Sequence, residues 1–393
     1  MINLMKYTFY NEEDTKKKLC DYILKSKRLS MGEKCFEFEK KFAQYQGRKY
    51  AVMFNSGSSA NLALIQSLVN QGLIKKGENI GFSAVTWATN VMPLLQLGLN
   101  PIPIDISLET LNVSSKTFLD TLKSKQIKVL FLTNLLGFCS DIDQIVNVCK
   151  ENNIILVEDN CESFGSIFKD TKLGNFGLGS SFSFYVGHQM STIEGGMVCT
   201  DDEDFHNMIL MVRTHGWDRN LNTNKQAKLR KENDINDFYA KYVFYVQGYN
   251  LRPSDINAFI GIEQLKFIDE IIQRRLDNFN RLNKVVENNP DFTSLQLDHV
   301  KLISNFAYPV ICKNNKIFEK YKTLLLKNDV EIRPILSGSM LNQPVFKKYM
   351  EKNSFNYECP NAEIIHNLGI YVPNHPDLDE DEIALLENLL KYR

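Results

Sequence analysis

Short apolar runs alternate with amphipathic segments of helical length through the first half of this 393-residue chain. The apolar runs have the length of strands and contain few polar residues, which is typical of strands buried on both faces of a sheet. They lie at 80–82, 101–104, 129–132, 154–157 and 182–184. Amphipathic segments such as 114–125 and 143–152 separate most of them. Strands joined by helices predict an α/β domain with a mostly parallel sheet.

The chain that precedes these strands is predicted to begin with helical segments at 15–27 and 36–45. A short apolar strand at 51–54 follows and ends in a turn of small residues. The next helix has apolar positions between 60 and 69, and Gly72 would end it as a C-terminal cap. We predict that this region and the sheet form one large domain, residues 1–255.

Beyond residue 255 the pattern changes to a smaller unit of mixed character. A long helix is predicted from Asp255 to about Glu287, and it would connect the two units. The predicted elements after it are strands at 306–311 and 330–332, a helix at 317–328 and a terminal helix from Asp379. We therefore assign residues 256–393 to the connecting helix and a small C-terminal α+β domain.

Residues 219–237 differ from the rest of the first domain because they contain many Asn, Lys, Gln and Asp and few apolar side chains. This composition predicts a surface loop or insertion. A lid that becomes ordered over a binding site is the alternative, since long loops are often functional.

Composition and charge limit the possible partners of the protein. The chain is 44% hydrophobic and 24% charged, which is ordinary for a globular protein with two domains. A net charge of −1 argues against binding to nucleic acid or to a membrane surface through bulk electrostatics. No apolar run approaches the ~20 residues that span a bilayer, and no signal peptide is visible, so a cytoplasmic location is expected.

The eight cysteines are predicted to be reduced thiols without a metal. None of them forms a C-x-x-C or C-x-C pair, so the sequence does not support zinc or iron–sulfur ligation. Several lie beside apolar residues, where a free Cys behaves as a small hydrophobic side chain.

A turn of small residues at 56–60 is the first candidate site. Gly57, Ser58 and Ser59 lie where a helix begins, and free backbone N–H groups, hydroxyls and the helix dipole there suit a phosphate. The alternative is a serine N-cap with no ligand, which is the commoner use of such a sequence.

Two further candidates follow predicted strands, whose carboxyl ends meet at one edge of a parallel sheet. Asp159 could hold a protonated ring nitrogen there, and Glu162 would lie on the same side if a helical turn begins at that point. An N-cap carboxylate is the alternative for this pair. Trp87 follows another strand and could stack on a flat heterocycle, although packing is the more frequent use of an aromatic residue.

The stretch 181–198 combines an apolar, aromatic strand with a polar cluster, a Gly-Gly turn and a second strand. Ser183 lies at the strand end, and His188 is the only group of the cluster that titrates near neutral pH. A catalytic histidine and a buried histidine with satisfied hydrogen bonds are both consistent with this stretch taken alone.

The order of these motifs resembles the fold-type-I, pyridoxal-phosphate (PLP) family of nucleotide-sugar aminotransferases and its dehydratase branch. The similarity covers nearly the whole chain, and many spaced motifs in order are more specific than any single one. The matching segments are 32–42, 51–60, 159–162, 181–196, 213–216, 248–252, 258–265, 333–334 and 368–373.

The resemblance implies a role for each candidate residue in holding the cofactor. Ser58 and Ser59 would bind the phosphate, and Ser183 would add a contact to it. The remaining implied roles are stacking on the ring for Trp87, pairing with the pyridine nitrogen for Asp159, a position near the ring hydroxyl for Glu162, and contact with the partner subunit's cofactor in a homodimer for Asn250. The aminotransferases usually carry Gln where Glu162 stands.

Position 188 departs from the aminotransferases, which carry there the lysine that forms a Schiff base with PLP. An imidazole cannot form that bond, but it can move protons near neutral pH. His188 in place of lysine resembles the sugar 3-dehydratases, which use pyridoxamine phosphate. The similarity therefore implies removal of the C3 hydroxyl from a GDP-linked 4-keto-6-deoxy sugar, hexose or heptose, with L-glutamate as amino donor and ammonia as product.

Three alternatives remain open from the sequence. The first is ordinary aminotransfer, which would need a lysine at the strand end, and none lies between Lys172 and Lys225. The second is a CDP-linked 3-dehydrase, whose relatives carry an iron–sulfur cysteine set that is absent here. The third is a PLP-fold protein without catalytic activity.

Four cationic side chains are candidates for binding the nucleotide diphosphate or the donor carboxylate. Guanidinium groups and a protonated imidazole suit such anions, although surface ion pairing is the commoner use. The candidates are Arg213, His215, Arg219 and Arg333.

Overall fold

The structure, a computed structural model, describes residues 1–350 and 357–392 and contains three sheets. The strands are β1 (Tyr50–Phe54), β2 (Asn79–Ser83), β3 (Asn100–Ile104), β4 (Val129–Thr133), β5 (Ile155–Asp159), β6 (Ile167–Phe168), β7 (Thr171–Lys172), β8 (Gly179–Ser183), β9 (Gly196–Thr200), β10 (Val300–Leu302), β11 (Ala307–Ile311), β12 (Arg333–Pro334) and β13 (Gly369–Pro373). The helices are α1 (Glu12–Lys25), α2 (Glu33–Gln46), α3 (Gly57–Asn70), α4 (Met92–Gln96), α5 (Ser115–Leu122), α6 (Ile142–Glu151), α7 (Glu203–Arg213), α8 (Thr223–Glu232), α9 (Asp255–Leu265), α10 (Ile268–Glu287), α11 (Asn315–Lys327), α12 (Pro344–Met350), α13 (Pro360–Leu368) and α14 (Glu380–Leu390).

The largest sheet has seven strands in the order β1-β9-β8-β5-β4-β2-β3. Strands β3, β2, β4, β5 and β8 run parallel to one another, whereas β9 is antiparallel to both β8 and β1. The predicted mostly parallel sheet is therefore confirmed. The carboxyl ends of β4, β5 and β8 lie side by side at one edge, where ligands bind in open sheets of this kind.

Both faces of this sheet are covered, as the apolar runs predict. Successive residues of a strand point to opposite faces, and β4 shows this alternation. Val129 and Phe131 pack in the core that contains residues of α3 such as Leu64. Leu130 and Leu132 pack in the other core, with residues of α5 and α6.

The C-terminal part of the chain forms an antiparallel sheet in the order β11-β13-β12, with α11, α13 and α14 beside it. Tyr308 and Val372 of this sheet belong to the same buried cluster as Leu130 and Leu132. The small sheet thus packs against one face of the large unit without a break in the core. The division into residues 1–255 and 256–393 stays a prediction.

Three predicted elements differ from the structure. The long helix from Asp255 to about Glu287 is two helices, α9 and α10, because the backbone of Phe267 departs from helical values (φ −106°, ψ 0°). The polar stretch 219–237 contains α8, whose first turn is capped by the Asn222 side chain. Since α8 has no buried residue, it lacks the apolar stripe that predicts a helix. The strand predicted at 330–332 is found a few residues later, as β12. Val330 instead forms an isolated bridge with Ile2.

Within the described residues, we find no helix with the length and apolar character needed to cross a bilayer.

Candidate active site

A cavity of about 860 Å³ lies at the carboxyl edge of the large sheet, between the start of α3 and the small C-terminal sheet. Residues 3–5 of the N-terminal segment form part of its wall. Of the site residues predicted from the sequence, those that line it are Gly57, Ser58, Trp87, Asp159, Glu162, Ser183, His188 and Arg333. The structure therefore brings together predicted site residues from five separate segments of the chain.

The start of α3 forms one end of the cavity. The Ser56 hydroxyl caps the helix by accepting the Ser59 N–H at 3.1 Å. A Cβ atom on Gly57 would lie 2.6 Å from Ser183 Cβ, so only glycine lets this helix approach the end of β8 so closely. Gly57 and Ser58 line the cavity at the positive end of the helix dipole. Ser59 contributes to the cap, and its predicted contact with a phosphate stays a prediction.

Asp159 is the last residue of β5, and both of its carboxylate oxygens accept hydrogen bonds from other residues. Its Oδ1 accepts the Cys161 N–H at 2.9 Å, and its Oδ2 accepts the side-chain amides of Asn61 at 2.9 Å and Asn90 at 2.8 Å. The two asparagines were missed in the sequence analysis. The signal for Asn61 is its place among the apolar positions at the start of α3, because a buried amide there needs a hydrogen-bond partner.

Glu162 lies one turn beyond β5 and is buried in the cavity wall. Its Oε2 accepts the Leu136 N–H at 3.0 Å. Burial raises the pKa of Glu162 to about 8, and the charge of Asp159 adds to this shift. The Glu162 carboxyl group is therefore mostly protonated at neutral pH.

His188 lies five residues beyond the end of β8, in a turn closed by its own N–H, which donates to the Tyr185 carbonyl at 2.9 Å. The turn is the polar cluster that was predicted to follow this strand. The imidazole meets the rings of Tyr185 and Phe306 edge-on, at centroid distances of 5.8 and 5.6 Å. Its Nδ1 is buried and has no hydrogen-bond partner in the part of the chain that the structure describes.

Burial lowers the pKa of His188 to about 4, while the nearby Asp159 carboxylate acts in the opposite direction. The positive charge of Arg275 lowers the pKa further. The imidazole is therefore neutral near pH 7, and it can accept a proton.

Trp87 and Arg333 lie at the more open side of the cavity. The Trp87 side chain is 54% exposed, so one face of its indole is free for stacking. Arg333 pairs with Glu331, whose other carboxylate oxygen accepts the Leu4 N–H at 2.9 Å. This pair links the N-terminal segment to the cavity wall.

Arg213 does not reach the cavity, and its predicted role in substrate binding is wrong. Its side chain is 0% exposed. The guanidinium forms an ion pair with Glu39 at 2.5 Å and donates to the Met53 carbonyl at 2.9 Å. Because a buried guanidinium needs such partners, Arg213 has a structural role.

His215, Arg219 and Asn250 lie away from the cavity of their own chain. His215 has a positive φ of 59° and contacts the Trp217 ring at 5.2 Å. Arg219 stacks on the same Trp217 ring at 4.0 Å. Asn250 is exposed and pairs with Thr214 through a backbone bridge. Their predicted contacts with ligands stay predictions.

The cavity has the donor set that PLP requires. A helix N-terminus for an anion, an ionisable carboxylate with fixed amide donors, an exposed indole face and a neutral imidazole surround one space. The cradle also needs glycine at position 57 to form. No lysine lines the cavity among the residues that the structure describes.

Comparison with known proteins agrees with this geometry. Residues 11–390 match the profile of the DegT/DnrJ/EryC1/StrS aminotransferase family. A GDP-4-keto-6-deoxy-D-mannose 3-dehydratase of Yersinia pseudotuberculosis is 35% identical over 377 residues, which cover 94% of this chain and 93% of that protein.

Solved structures give the same result. The structure of E. coli GDP-4-keto-6-deoxy-D-mannose 3-dehydratase with bound hydrated PLP has a TM-score of 0.88 and 33% identity, over 100% of this chain and 99% of that one. A GDP-4-keto-6-deoxymannose 3-dehydratase with a trapped PLP–glutamate geminal diamine has a TM-score of 0.89 and 32% identity, over 100% of both chains. The predicted fold-type-I architecture and PLP as cofactor are confirmed. The chain belongs to the DegT/DnrJ/EryC1/StrS aminotransferase family of PLP-dependent enzymes.

Proposed function

We propose that the protein is a 3-dehydratase that removes the C3 hydroxyl of a GDP-linked 4-keto-6-deoxy sugar, hexose or heptose. One observation carries this proposal. The cavity of this aminotransferase fold is lined by a neutral imidazole, that of His188, and by no lysine among the described residues. Among the described residues, no lysine amine lies at this cavity to bond covalently to the aldehyde of PLP. The name and the similarity of the Yersinia and E. coli relatives support the same reaction.

The residues around the cavity have defined roles in this proposal. The N–H groups at Gly57 and Ser58 and the Ser183 hydroxyl bind the phosphate, because they surround the positive end of α3. Asp159 holds the pyridine nitrogen protonated, since its carboxylate is kept in place by two amides. Trp87 stacks on the ring, and Glu162, mostly protonated, donates toward its hydroxyl oxygen.

When bound, pyridoxamine phosphate supplies an amine that condenses with the 4-keto group and a ring that accepts electrons. His188 carries out the proton transfers. Its pKa of about 4 keeps it neutral at pH 7, so it can accept a proton from carbon. The imidazolium is then a strong enough acid to protonate the oxygen that leaves sugar C3. One side chain thereby acts first as base and then as acid.

L-Glutamate is the proposed amino donor, and the trapped glutamate adduct of the related dehydratase supports it. Arg333 is the described cation that lines the cavity, and its guanidinium suits either the donor carboxylate or the nucleotide diphosphate. Hydrolysis of the unsaturated product gives a 4-keto-3,6-dideoxy sugar and ammonia.

A homodimer with shared active sites is part of the proposal. Four exposed aromatic side chains lie close together in sequence before Asn250, and an apolar surface of this kind is typical of an interface. They are Phe238, Tyr239, Tyr242 and Phe244. If a second copy covers these aromatic side chains, Asn250, His215 and Arg219 of the first chain would lie near the cavity of the second.

Product analysis tests the reaction. The protein is incubated with PLP, glutamate and a GDP-linked 4-keto-6-deoxymannose, with the CDP-linked 4-keto-6-deoxyglucose in parallel. We expect release of ammonia and a product that has lost the C3 oxygen, from the GDP sugar only. An amino sugar would identify an aminotransferase instead, and turnover of the CDP sugar alone would overturn the nucleotide assignment. No conversion of either sugar, with PLP bound, would identify a binding protein.

A further inference from the structure

The guanidinium of Arg275, on α10, is buried behind the turn that carries His188. Its three hydrogen bonds go to main-chain carbonyl oxygens of three separate segments. Nη2 donates to His188 at 3.1 Å, and Nη1 donates to Phe306 at 3.1 Å and to Asn374 at 2.5 Å. A planar guanidinium with five donors can connect several carbonyls in this way, whereas an ammonium group cannot match the geometry.

Two of these carbonyls belong to residues that determine where the imidazole lies. One is that of His188 itself, and the other is that of Phe306, whose ring meets the imidazole edge-on at 5.6 Å. Arg275 therefore holds the main chain of His188 and the main chain of Phe306, whose ring packs against the imidazole. A change at Arg275 would release both at once.

Besides Arg275, the turn is held by the next residue, Gln189, whose side-chain amide donates to the Glu162 and Ser304 carbonyls. Gly187, which has no side chain, precedes His188. His188 and Arg275 both line a second, small cavity of about 40 Å³ beneath residues 4–10 of the N-terminal segment. The turn thus lies between the large cavity and this smaller space. The hydrogen bond from Arg275 is a specific restraint across that space.

The same hydrogen-bond network extends from Arg275 to Glu162 in the cavity wall. The Asn374 side-chain amide donates to the Arg275 carbonyl at 3.1 Å and to Asn305 Oδ1 at 3.0 Å. Asn305 donates to the Leu136 carbonyl at 2.7 Å, and the Leu136 N–H donates to Glu162. Buried chains of this kind fix the positions of their members because each broken bond leaves an unpaired polar group.

We propose that Arg275 is a positioning residue for the reaction, which acts by fixing the His188 turn and the Phe306 ring so that the imidazole faces the cavity. This inference rests on the proposed function, since it assigns to His188 the proton transfers described above. Arg275 does not line the large cavity, so it would act on a ligand there only through other residues.

The test compares Arg275→Gln and Arg275→Lys with wild type, and Arg274→Gln is the matched control. Arg274 is the neighbouring residue on α10, but its side chain is exposed and pairs with Glu270 one turn away. We expect kcat for dehydration to fall about 100-fold in both Arg275 variants, because a displacement of ~1 Å of a catalytic group has this effect. KM for the sugar should change less than about threefold, and Arg274→Gln should match wild type.

Crystal structures of the cofactor-free variants give an independent measurement. We expect the His188 ring to be displaced or to occupy several positions in Arg275→Lys, while the large sheet is unchanged. An undisturbed ring, or a kcat equal to that of wild type, would overturn the inference. If Arg275→Gln does not fold, Arg275→Lys decides alone, because it retains the charge and the aliphatic stem. If wild type itself does not dehydrate the sugar, the proposed function fails, and the ring position still decides whether Arg275 fixes His188.

Discussion

The Asn61 side-chain amide donates a hydrogen bond of 2.9 Å to Asp159 Oδ2. This bond joins the first turn of α3 to the end of β5, so the proposed phosphate cradle and the ring-nitrogen carboxylate form one rigid unit. We predict that Asn61→Leu weakens PLP binding by about 10- to 100-fold, because a hydrogen bond to a charged group contributes about 1.5–3 kcal/mol. Absorbance titration of the cofactor-free protein measures the Kd.

Asn70→Leu is the matched control, because Asn70 lies at the other end of α3 and donates to the Gln247 carbonyl outside the cavity. Its Kd for PLP should equal that of wild type. Equal Kd values for Asn61→Leu and wild type would show that Asp159 does not depend on this amide.

His188→Lys tests whether one residue separates the two reactions of the family. A lysine amine at this position can bond covalently to the PLP aldehyde, so the variant should absorb in the visible after addition of PLP. Dehydration should be lost, since the side chain that transfers the protons is absent and such transfer contributes about 10²- to 10⁴-fold. Absorbance spectra and ammonia release measure the two effects. Retained dehydration would contradict a single-base mechanism.

Glu162 should make the cofactor-free protein less stable as the pH rises. Its folded pKa of about 8 exceeds the ordinary value of 4.5, so the folded state keeps a proton that the unfolded chain releases. The stabilisation is complete below pH ~4.5 and is lost as the pH rises toward ~8, by at most about 1.4 kcal/mol per pH unit. Glu162→Gln, which still accepts the Leu136 N–H, should remove this loss.

The measurement is the Tm of the cofactor-free wild type and of Glu162→Gln between pH 5 and 8. We expect the Tm difference between them to shift in favour of Glu162→Gln as the pH increases. Glu13→Gln is the control, because Glu13 is exposed on α1 and pairs only with Lys17. A constant difference across the pH range would contradict the raised pKa.

Most of the large sheet could be predicted from the sequence because buried parallel strands are short and almost entirely apolar. The ends of such strands meet at one edge, so the joint position of Asp159 and Ser183 follows from the strand pattern alone. Helix α8 could not be predicted in this way, because none of its residues is fully buried and Leu229 alone does not make an apolar stripe. Its stability depends on a cap at Asn222 and on ion pairs such as that of Lys225 with Asp204.

The remaining parts of the site depend on partners that are distant in the chain. Arg275 meets the His188 carbonyl across 87 positions, and Arg213 meets Glu39 across 174. Hydrophobic periodicity contains no information about such pairs. The Arg213 guanidinium therefore suggested a site for a ligand anion, whereas the structure shows that its anion is the Glu39 side chain of the same protein.

The buried pair of Arg213 and Glu39 should affect stability and not substrate binding. Arg213→Met leaves Glu39 buried without its cation, and breaking such a pair destabilises a protein by about 3–5 kcal/mol. Denaturant unfolding measures this loss, and KM for the sugar should be unchanged in the fraction that remains folded. Arg28→Met, at an exposed position, is the control and should be neutral. A higher KM without loss of stability would restore a ligand-binding role for Arg213.

Complementation between two inactive variants tests the shared active site. Asn250 is exposed and outside the cavity of its own chain, so a role at the cofactor requires that it act on the partner. We expect His188→Asn and Asn250→Ala to be nearly inactive as homodimers. A heterodimer of the two has one site with both substitutions and one intact site, because the interface is symmetric, and it should recover about half of the wild-type activity. Differently tagged chains allow the heterodimer to be purified. Activity no higher than the mean of the two homodimers would show that each cavity is completed by its own chain alone.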